Sequence, residues 1–219
     1  MFKIVLIIVA VLLLVGMAFF FMLVKGPDVT KYEYLQEPQI TTIADTNVLE
    51  VSFNTPTDGL NEVFGFLVKN YLKIKGVPKM PWRMPPTAAR YENGLDSDME
   101  EKKREAAFEN MIWKGVAAMP LPANITNTPD IKHDKLIAKI VTWKYGETVE
   151  ILHIGSYEKE APTINKLKEY VDKQGYEISG LHEEVYLRSP GTPFCKPENY
   201  YTIIRYPVKK KIETKADSR

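Results

Sequence analysis

The segment LHEEVYL, residues 181–187, carries the side chains best suited to bind a charged ligand. Its alternating pattern predicts a β-strand, in which successive side chains point to opposite faces. Glu184 then shares one face with His182 and Tyr186, and Glu183 shares the other with three aliphatic residues. We expect the aliphatic face to lie under helices and Glu184 to face away from them, into a cleft. A bulge in the strand would exchange the two faces and put Glu183 there instead.

Other reactive residue types show no catalytic or metal-binding spacing. The lone Cys195 cannot form a disulfide within the chain and sits in a Pro-rich loop, which predicts an ordinary loop thiol. The three histidines lack the spacing of common zinc motifs, and His153 is predicted to make structural hydrogen bonds. Glycine-rich nucleotide motifs and the serine-hydrolase elbow do not occur. We therefore predict no catalytic residue, no metal site and no cofactor, and favour a binding protein over an enzyme.

An uncharged stretch opens the chain at residues 5–24, between Lys3 and Lys25. As a helix it would span roughly 30 Å, the thickness of a bilayer's hydrocarbon core. A cleaved signal peptide usually has a shorter apolar core and a small-residue cleavage site, and a buried soluble helix usually has a polar stripe. We predict a single-pass membrane anchor that contacts lipid, with those two readings as alternatives. The flanking charges are balanced and do not set the orientation of the anchor. A single N-terminal anchor most often has its short end in the cytoplasm, which favours an external or periplasmic domain.

The rest of the chain reads as one domain of strands and helices, since about 180 residues suit one core. The formal net charge of +1 gives no reason to expect a nucleic-acid partner. The order strand, helix, strand, strand occurs twice. This predicts an α+β fold of two pseudo-two-fold repeats, with an antiparallel sheet and both helices on one face. The predicted strands are 49–53, 87–92, 112–121, 136–143, 148–154, 181–187 and 200–208, and the predicted helices are 59–75 and the segment from Pro162 to Gly175.

Composition sets the predicted boundaries. The anchor takes residues 1–25, a polar juxtamembrane stalk takes 26–46, the ligand-binding domain takes 47–209, and a charged tail takes 210–219. The charged insert at 94–110 is predicted to be a solvated helix or a mobile loop.

Residues from His153 to Lys210 resemble the C-terminal repeat of the GyrI-like small-molecule-binding family. The matching residues are His153, Gly155, Tyr157 and Glu158 of an H-x-G-x-Y-E run, a helix that ends in Q-G-Y, and the V-Y-L and I-I-R-Y-P-V strands. The first half matches mainly in the order of its elements, with PPTAARY as its best local likeness. That family includes gyrase-inhibitory proteins and the effector-binding domains of multidrug-sensing regulators.

The resemblance implies two repeats with a ligand cleft between them. It also implies an acidic residue on the penultimate strand, at the base of an aromatic pocket, that pairs with cationic lipophilic ligands. By position this residue is Glu184, with Tyr186 beside it. Some relatives hydrolyse strained electrophiles with an acidic residue in the same cleft. The predicted pocket walls are Tyr157, Tyr91 and Trp113, and Trp82, Trp143 and Tyr145 are further candidates.

Three functions fit these observations. The leading one is a membrane-anchored module that captures a small hydrophobic or cationic organic molecule in an aromatic cleft floored by Glu184. A hydrolase of reactive small molecules would use Glu184 as a general acid or base. An adaptor would instead present the folded domain, the insert or the tail to a protein partner.

Overall fold

The computed structural model describes residues 2–25, 28–95, 97–127, 131–133 and 135–212. The predicted tail at 210–219 therefore lies outside the described residues from position 213 onwards. The helices are α1 Phe2–Lys25, α2 Leu60–Tyr71, α3 Glu101–Asn110 and α4 Ala161–Lys173. The strands are β1 Gln39–Ile43, β2 Thr46–Pro56, β3 Thr87–Tyr91, β4 Ile112–Pro120, β5 Ile131–His133, β6 Leu136–Trp143, β7 Gly146–Ile154, β8 Tyr176–Ile178, β9 His182–Arg188 and β10 Tyr201–Lys210.

The N-terminal stretch forms α1. Among the residues that the structure describes, none of the helices is both long and apolar enough to cross a bilayer. The membrane anchor is thus a prediction from the sequence that the structure does not support.

The described strands form one sheet in the order β1-β7-β10-β9-β3-β4-β2-β6-β5, with β8 paired to β10. The described pairings are antiparallel, which confirms the predicted α+β class with an antiparallel sheet. From the central β9–β3 pair outwards, the order runs β10, β7 on one side and β4, β2 on the other. A duplication would produce this arrangement, and the duplication itself stays a prediction.

Helices α2 and α4 pack on the same face of the sheet, as predicted. Leu67 of α2 lies in a core cluster with Ala89 of β3, and Leu167 of α4 lies in a second cluster with Ile204 of β10. Both leucine side chains are 0% exposed. Ala89 and Ile204 are the two cross-strand neighbours of Glu184, so Glu184 lies on the helix face, between the two clusters.

The predicted orientation of β9 is therefore wrong in one respect: Glu184 and Tyr186 face the helices, and the aliphatic residues face away from them. The physical reason is that the opposite face of the sheet is also covered. Leu35, in a 3₁₀ helix over Thr30–Gln36, is fully buried there with Val185 and Leu187. The aliphatic face of β9 is therefore buried in a core cluster that includes neither α2 nor α4.

Two segments differ from their prediction, the stalk in its structure and the insert in the burial of one residue. The segment predicted as a stalk contains the 3₁₀ helix over Thr30–Gln36 and strand β1, which pairs with β7 and is the last strand at that end of the sheet. Residues 26 and 27 of that stalk lie outside the described residues. The charged insert forms α3, and its Arg104 is buried rather than solvated.

Candidate functional site

A cavity of about 1440 Å³ lies on the helix face of the sheet. Its floor comes from the central strands β3 and β9, and its walls include residues of α2, α3 and the start of α4. Since α2 and α4 pack over separate core clusters, the sheet between them stays uncovered and forms a cleft. The five residues predicted to form the ligand site all line this cavity: Glu184, Tyr186, Tyr157, Tyr91 and Trp113.

Aromatic rings form a continuous surface in the cavity. The ring of Tyr186 contacts those of Phe64 and Tyr157, with centroids 5.4 Å and 5.8 Å apart. The ring of Tyr91 lies 5.3 Å from that of Trp113, and the hydroxyl groups of Tyr91 and Tyr186 are 2.5 Å apart. Ring faces of this kind attract both apolar groups and cations.

The end of α3 and the 3₁₀ turn over Thr57–Gly59 hold Trp113 in the cavity wall. The Nε1–H group of Trp113 donates a hydrogen bond to Thr57 Oγ1 over 2.9 Å, and that hydroxyl donates to the Phe108 carbonyl over 2.6 Å. Phe108 also places its ring 5.2 Å from the Trp113 ring. The insert that carries α3 is therefore one wall of the cavity.

Two carboxyl groups meet at the floor of the cavity. Glu184 is 8% exposed, and Glu160, the residue before α4, is 4% exposed. The 3₁₀ turn over Tyr157–Lys159 directs the chain into α4 so that Glu160 reaches the cleft. Burial, and then the charge of Glu184, raise the pKa of Glu160 well above its ordinary value, and a hydrogen bond with Glu184 contributes to this. The Glu160 carboxyl group therefore keeps its proton to a higher pH than an ordinary glutamate does.

His182 holds Glu184 in place from the same strand face. Its Nε2 atom lies 2.7 Å from Glu184 Oε1, and its Nδ1 atom lies 2.7 Å from the Tyr206 hydroxyl group. Both ring nitrogens thus have partners, which fixes the plane of the imidazole ring.

A cation from the insert faces the carboxyl pair. Arg104 of α3 is buried and lines the cavity, and its charge lowers the pKa of both Glu160 and Tyr206. For Glu160, burial and the charge of Glu184 outweigh this effect. The site therefore holds a cation of its own close to its acidic floor.

The tyrosines of the cavity are neutral around physiological pH. Burial is the main cause that raises the pKa of Tyr91, Tyr157, Tyr186 and Tyr206, and the charge of Glu184 raises it further in each case. Their hydroxyl groups can therefore donate hydrogen bonds to an acceptor in the cleft.

The opposite face of the sheet holds a separate charged network around Glu183. Its carboxylate, in a residue that is 2% exposed, accepts hydrogen bonds from Arg90 Nε at 2.8 Å, Arg205 Nη1 at 3.1 Å and the Tyr145 hydroxyl at 3.0 Å. The guanidinium group of Arg90 lies over the Trp143 ring, 4.1 Å from its centroid. Trp143 and Tyr145 thus belong to this network and not to the cavity, whereas Trp82, the third further candidate, lines the cavity.

His153 and Cys195 are placed as predicted. His153 is buried, with Nδ1 3.0 Å from Thr163 Oγ1 and Nε2 3.1 Å from the Ser156 carbonyl. Burial lowers the pKa of its imidazole. Cys195 has a free thiol in the loop before β10, 3.3 Å from the Asn199 carbonyl.

Four further residues line the cavity that were not predicted as site residues: Glu160, Arg104, Tyr206 and His182. His182 was assigned to the correct strand face but not to the site. Tyr206 lies on β10 and bonds to His182. The antiparallel pairing of β9 with β10, had it been known, would have indicated that Tyr206 lies beside His182. Glu160 and Arg104 come from a helix start and an insert, and no periodic pattern indicates where such residues point.

Residues 128–209 match the family model of the GyrI-like small molecule binding domain, and the predicted resemblance is confirmed over that range. A hydrolase from Listeria innocua has a similar structure, with a TM-score of 0.59, 17% identity, and coverage of 84% of this chain and 100% of its own. An uncharacterized conserved protein from Listeria innocua has a TM-score of 0.58 and 19% identity, and the match covers 84% of this chain and 100% of that protein. The C-terminal domain of EcmrR has a TM-score of 0.55 and 13% identity, and the match covers 80% of this chain and 98% of that domain. At these identities the likeness establishes the fold, and no similar sequence was found among curated proteins.

Proposed function

We propose that this chain, in which residues 128–209 match the model of the GyrI-like small molecule binding domain, captures amphipathic organic cations in the cavity above β3 and β9. The observation that carries the proposal is the buried pair Glu160 and Glu184 at the floor of an aromatic cavity. The apolar part of a ligand would contact the rings of Tyr157, Tyr186 and Trp113. Its cationic group would lie beside Glu184.

Charge supports this assignment. A buried carboxylate is costly unless a cation or hydrogen-bond donors compensate it. The strands that flank Glu184 present Ala89 and Ile204 to it, and neither side chain carries a charge. A cationic ligand would add its charge to that of Arg104 beside the two carboxyl groups, and the aromatic faces would add about 0.5–2 kcal/mol of cation–π attraction.

The dimensions of the cavity support a small molecule over a protein partner. Its volume of about 1440 Å³ is above the range of roughly 300–1,000 Å³ that is usual for ligand pockets, so a drug-sized molecule fits. A domain that served only as an adaptor would not need a buried acidic floor. We therefore place the adaptor hypothesis behind ligand capture.

A second candidate function is the hydrolysis of reactive small molecules. The observation that favours it is the raised pKa of Glu160 next to Glu184, because a carboxyl group that keeps its proton can act as a general acid beside a second carboxyl group. Hydrolysis of a strained electrophile by the wild-type protein, and its loss in both Glu160→Gln and Glu184→Gln, would favour this function.

The proposal includes a membrane anchor, which rests on the sequence alone. Residues 5–24 contain no charged side chain and are long enough as a helix to cross a bilayer. The cavity would then lie close to a membrane surface, where amphipathic cations accumulate. The proposal does not fix the side of the membrane on which the domain lies, and it favours the external or periplasmic side.

The direct test is a thermal-shift measurement on the fragment from residue 28 onwards. Crystal violet serves as the lipophilic cation, and its uncharged leuco form serves as the matched control. We expect stabilisation by the cation that grows with concentration and little effect of the leuco form. Equal shifts with both forms would mean that the cavity recognises apolar surface and not charge, which would contradict the proposal.

A further inference from the structure

We propose that Glu160, His182 and Glu184 form a binding site for a divalent transition-metal ion, with Zn²⁺ as the representative. One ligand atom from each residue lies within 4.8 Å of the others, among the residues that the structure describes. The spacing of histidines in the sequence predicted no metal site, because these three ligands come from a helix start and one strand. The proposal does not depend on the capture of organic cations, since the three ligands would bind a metal without the aromatic walls.

The composition of the cluster fits a transition metal. Imidazole nitrogens and carboxylate oxygens both bind zinc, and catalytic zinc sites have three protein ligands with water in the fourth position. Hard ions such as Mg²⁺ prefer oxygen ligands alone, so the imidazole favours Zn²⁺, Mn²⁺ or Fe²⁺. Bonds of about 2.0–2.2 Å would place ligand atoms roughly 3.3–3.6 Å apart in a tetrahedral site. The ligand atoms lie within 4.8 Å of one another, so each separation would change by no more than about 1.5 Å to reach that geometry.

The Glu160 carboxyl group supplies an independent indication of a ligand. Its Oε1 atom is buried and has no hydrogen-bond partner among the described residues, although Glu160 is only 4% exposed. A buried polar atom without a partner is rare and costly in folded proteins. A metal ion at the cluster would satisfy this oxygen.

The surroundings of His182 resemble those of a metal ligand. Tyr206 lies with its hydroxyl oxygen 2.7 Å from Nδ1 and leaves Nε2 to face Glu184 Oε1 at 2.7 Å. Histidines that bind metals usually have their second nitrogen fixed by such an outer partner. A metal ion would replace the bond between Nε2 and Glu184, and Tyr206 would keep the ring in place.

Isothermal titration of the chelator-treated protein with ZnCl₂ tests the proposal. We expect one ion per chain for the wild type, a loss of at least 100-fold in affinity for Glu160→Gln, and about 10–100-fold for Tyr206→Phe, which keeps all three ligands. Glu158→Gln is the matched control, because it removes a carboxylate from the same segment but outside the cluster. Its affinity should equal that of the wild type.

Three results would overturn the metal site: no stoichiometric Zn²⁺ binding by the wild type, equal losses for Glu158→Gln and Glu160→Gln, or equal affinity for Mg²⁺ and Zn²⁺. Circular dichroism identifies any variant that fails to fold, and Tyr206→Phe then carries the test. Titration with crystal violet separates the two proposals. Binding of the dye without binding of Zn²⁺ would overturn only the metal site, and binding of Zn²⁺ without the dye would overturn only the organic ligand.

Discussion

Glu183 and Glu184 are adjacent on β9, yet their carboxyl groups lie on opposite faces of the sheet and in opposite electrostatic surroundings. Glu183 bonds to Arg90 and Arg205, one from each neighbouring strand. Glu184 has Ala89 and Ile204 at the same positions of those strands and faces a cavity that contains another carboxyl group. Two arginines therefore bond directly to Glu183, whereas Glu184 bonds to His182 and faces the cavity in which we propose that a cationic ligand binds.

The first prediction concerns the stability of the Glu183 network. Glu183→Gln should lower the free energy of unfolding by about 2–4 kcal/mol, because it leaves two largely buried arginines with a weaker partner. Glu169→Gln, on the exposed side of α4 and paired with Lys173, should cost less than about 0.5 kcal/mol. Urea unfolding of the two variants measures both values. Equal, small losses would mean that the network around Glu183 is screened by solvent.

The second prediction concerns the packing of the helices on the sheet. Leu167→Ala should lower the free energy of unfolding by about 2–5 kcal/mol, since Leu167 is fully buried between α4 and the sheet. Leu67→Ala in α2 should cost a similar amount. A loss below about 0.5 kcal/mol in either variant, measured by urea unfolding, would contradict the placement of that helix.

The third prediction concerns the pH dependence of stability through His153. Burial lowers the pKa of His153 in the folded state, so the unfolded chain binds more protons just below pH 6.5. The free energy of unfolding should therefore fall as the pH drops from 6.5 towards the folded-state pKa, by up to about 1.4 kcal/mol per pH unit. His153→Gln should show a shallower slope in the same window. Parallel slopes for both proteins would contradict a lowered pKa.

The fourth prediction concerns the N-terminal segment. The full chain should stay in the membrane fraction after alkaline carbonate extraction, and the mature protein should keep its first residues. The fragment without residues 1–26 should be soluble and folded. N-terminal sequencing gives the opposing outcome: a mature chain that starts near residue 26 would identify a cleaved signal peptide.

The secondary structure was largely predictable because its signals are local. The alternation in residues 136–154 and 181–187 and the stripes of α2 and α4 follow periods of 2.0 and 3.6 residues, and most element ends agree within a few positions. Residues 26–46 are predicted as a stalk because their polar composition hides the buried residues Leu35 and Pro38. The place of this segment in the fold depends on a pairing with β7, more than a hundred residues away in the chain.

The site was predictable only as far as strand alternation reaches. Alternation separates Glu183 from Glu184 correctly, but it does not say which face the helices cover, and that face was assigned wrongly. The partners of each glutamate depend on the register of the strands. On β3, Ala89 pairs with Glu184 and Arg90 with Glu183. On β10, Ile204 pairs with Glu184 and Arg205 with Glu183. A shift of one residue would have exchanged the two environments. Only the three-dimensional pairing decides this.

Calorimetric titration of crystal violet into the wild type, Glu184→Gln and Glu158→Gln tests the central claim most directly. Loss of one partner of a buried charge pair typically costs about 2–5 kcal/mol, which corresponds to roughly 30- to several-thousand-fold in affinity. We predict a loss of that size for Glu184→Gln, with no change for Glu158→Gln and an unchanged fold by circular dichroism. Equal affinity of wild type and Glu184→Gln would remove Glu184 from the site and contradict the account.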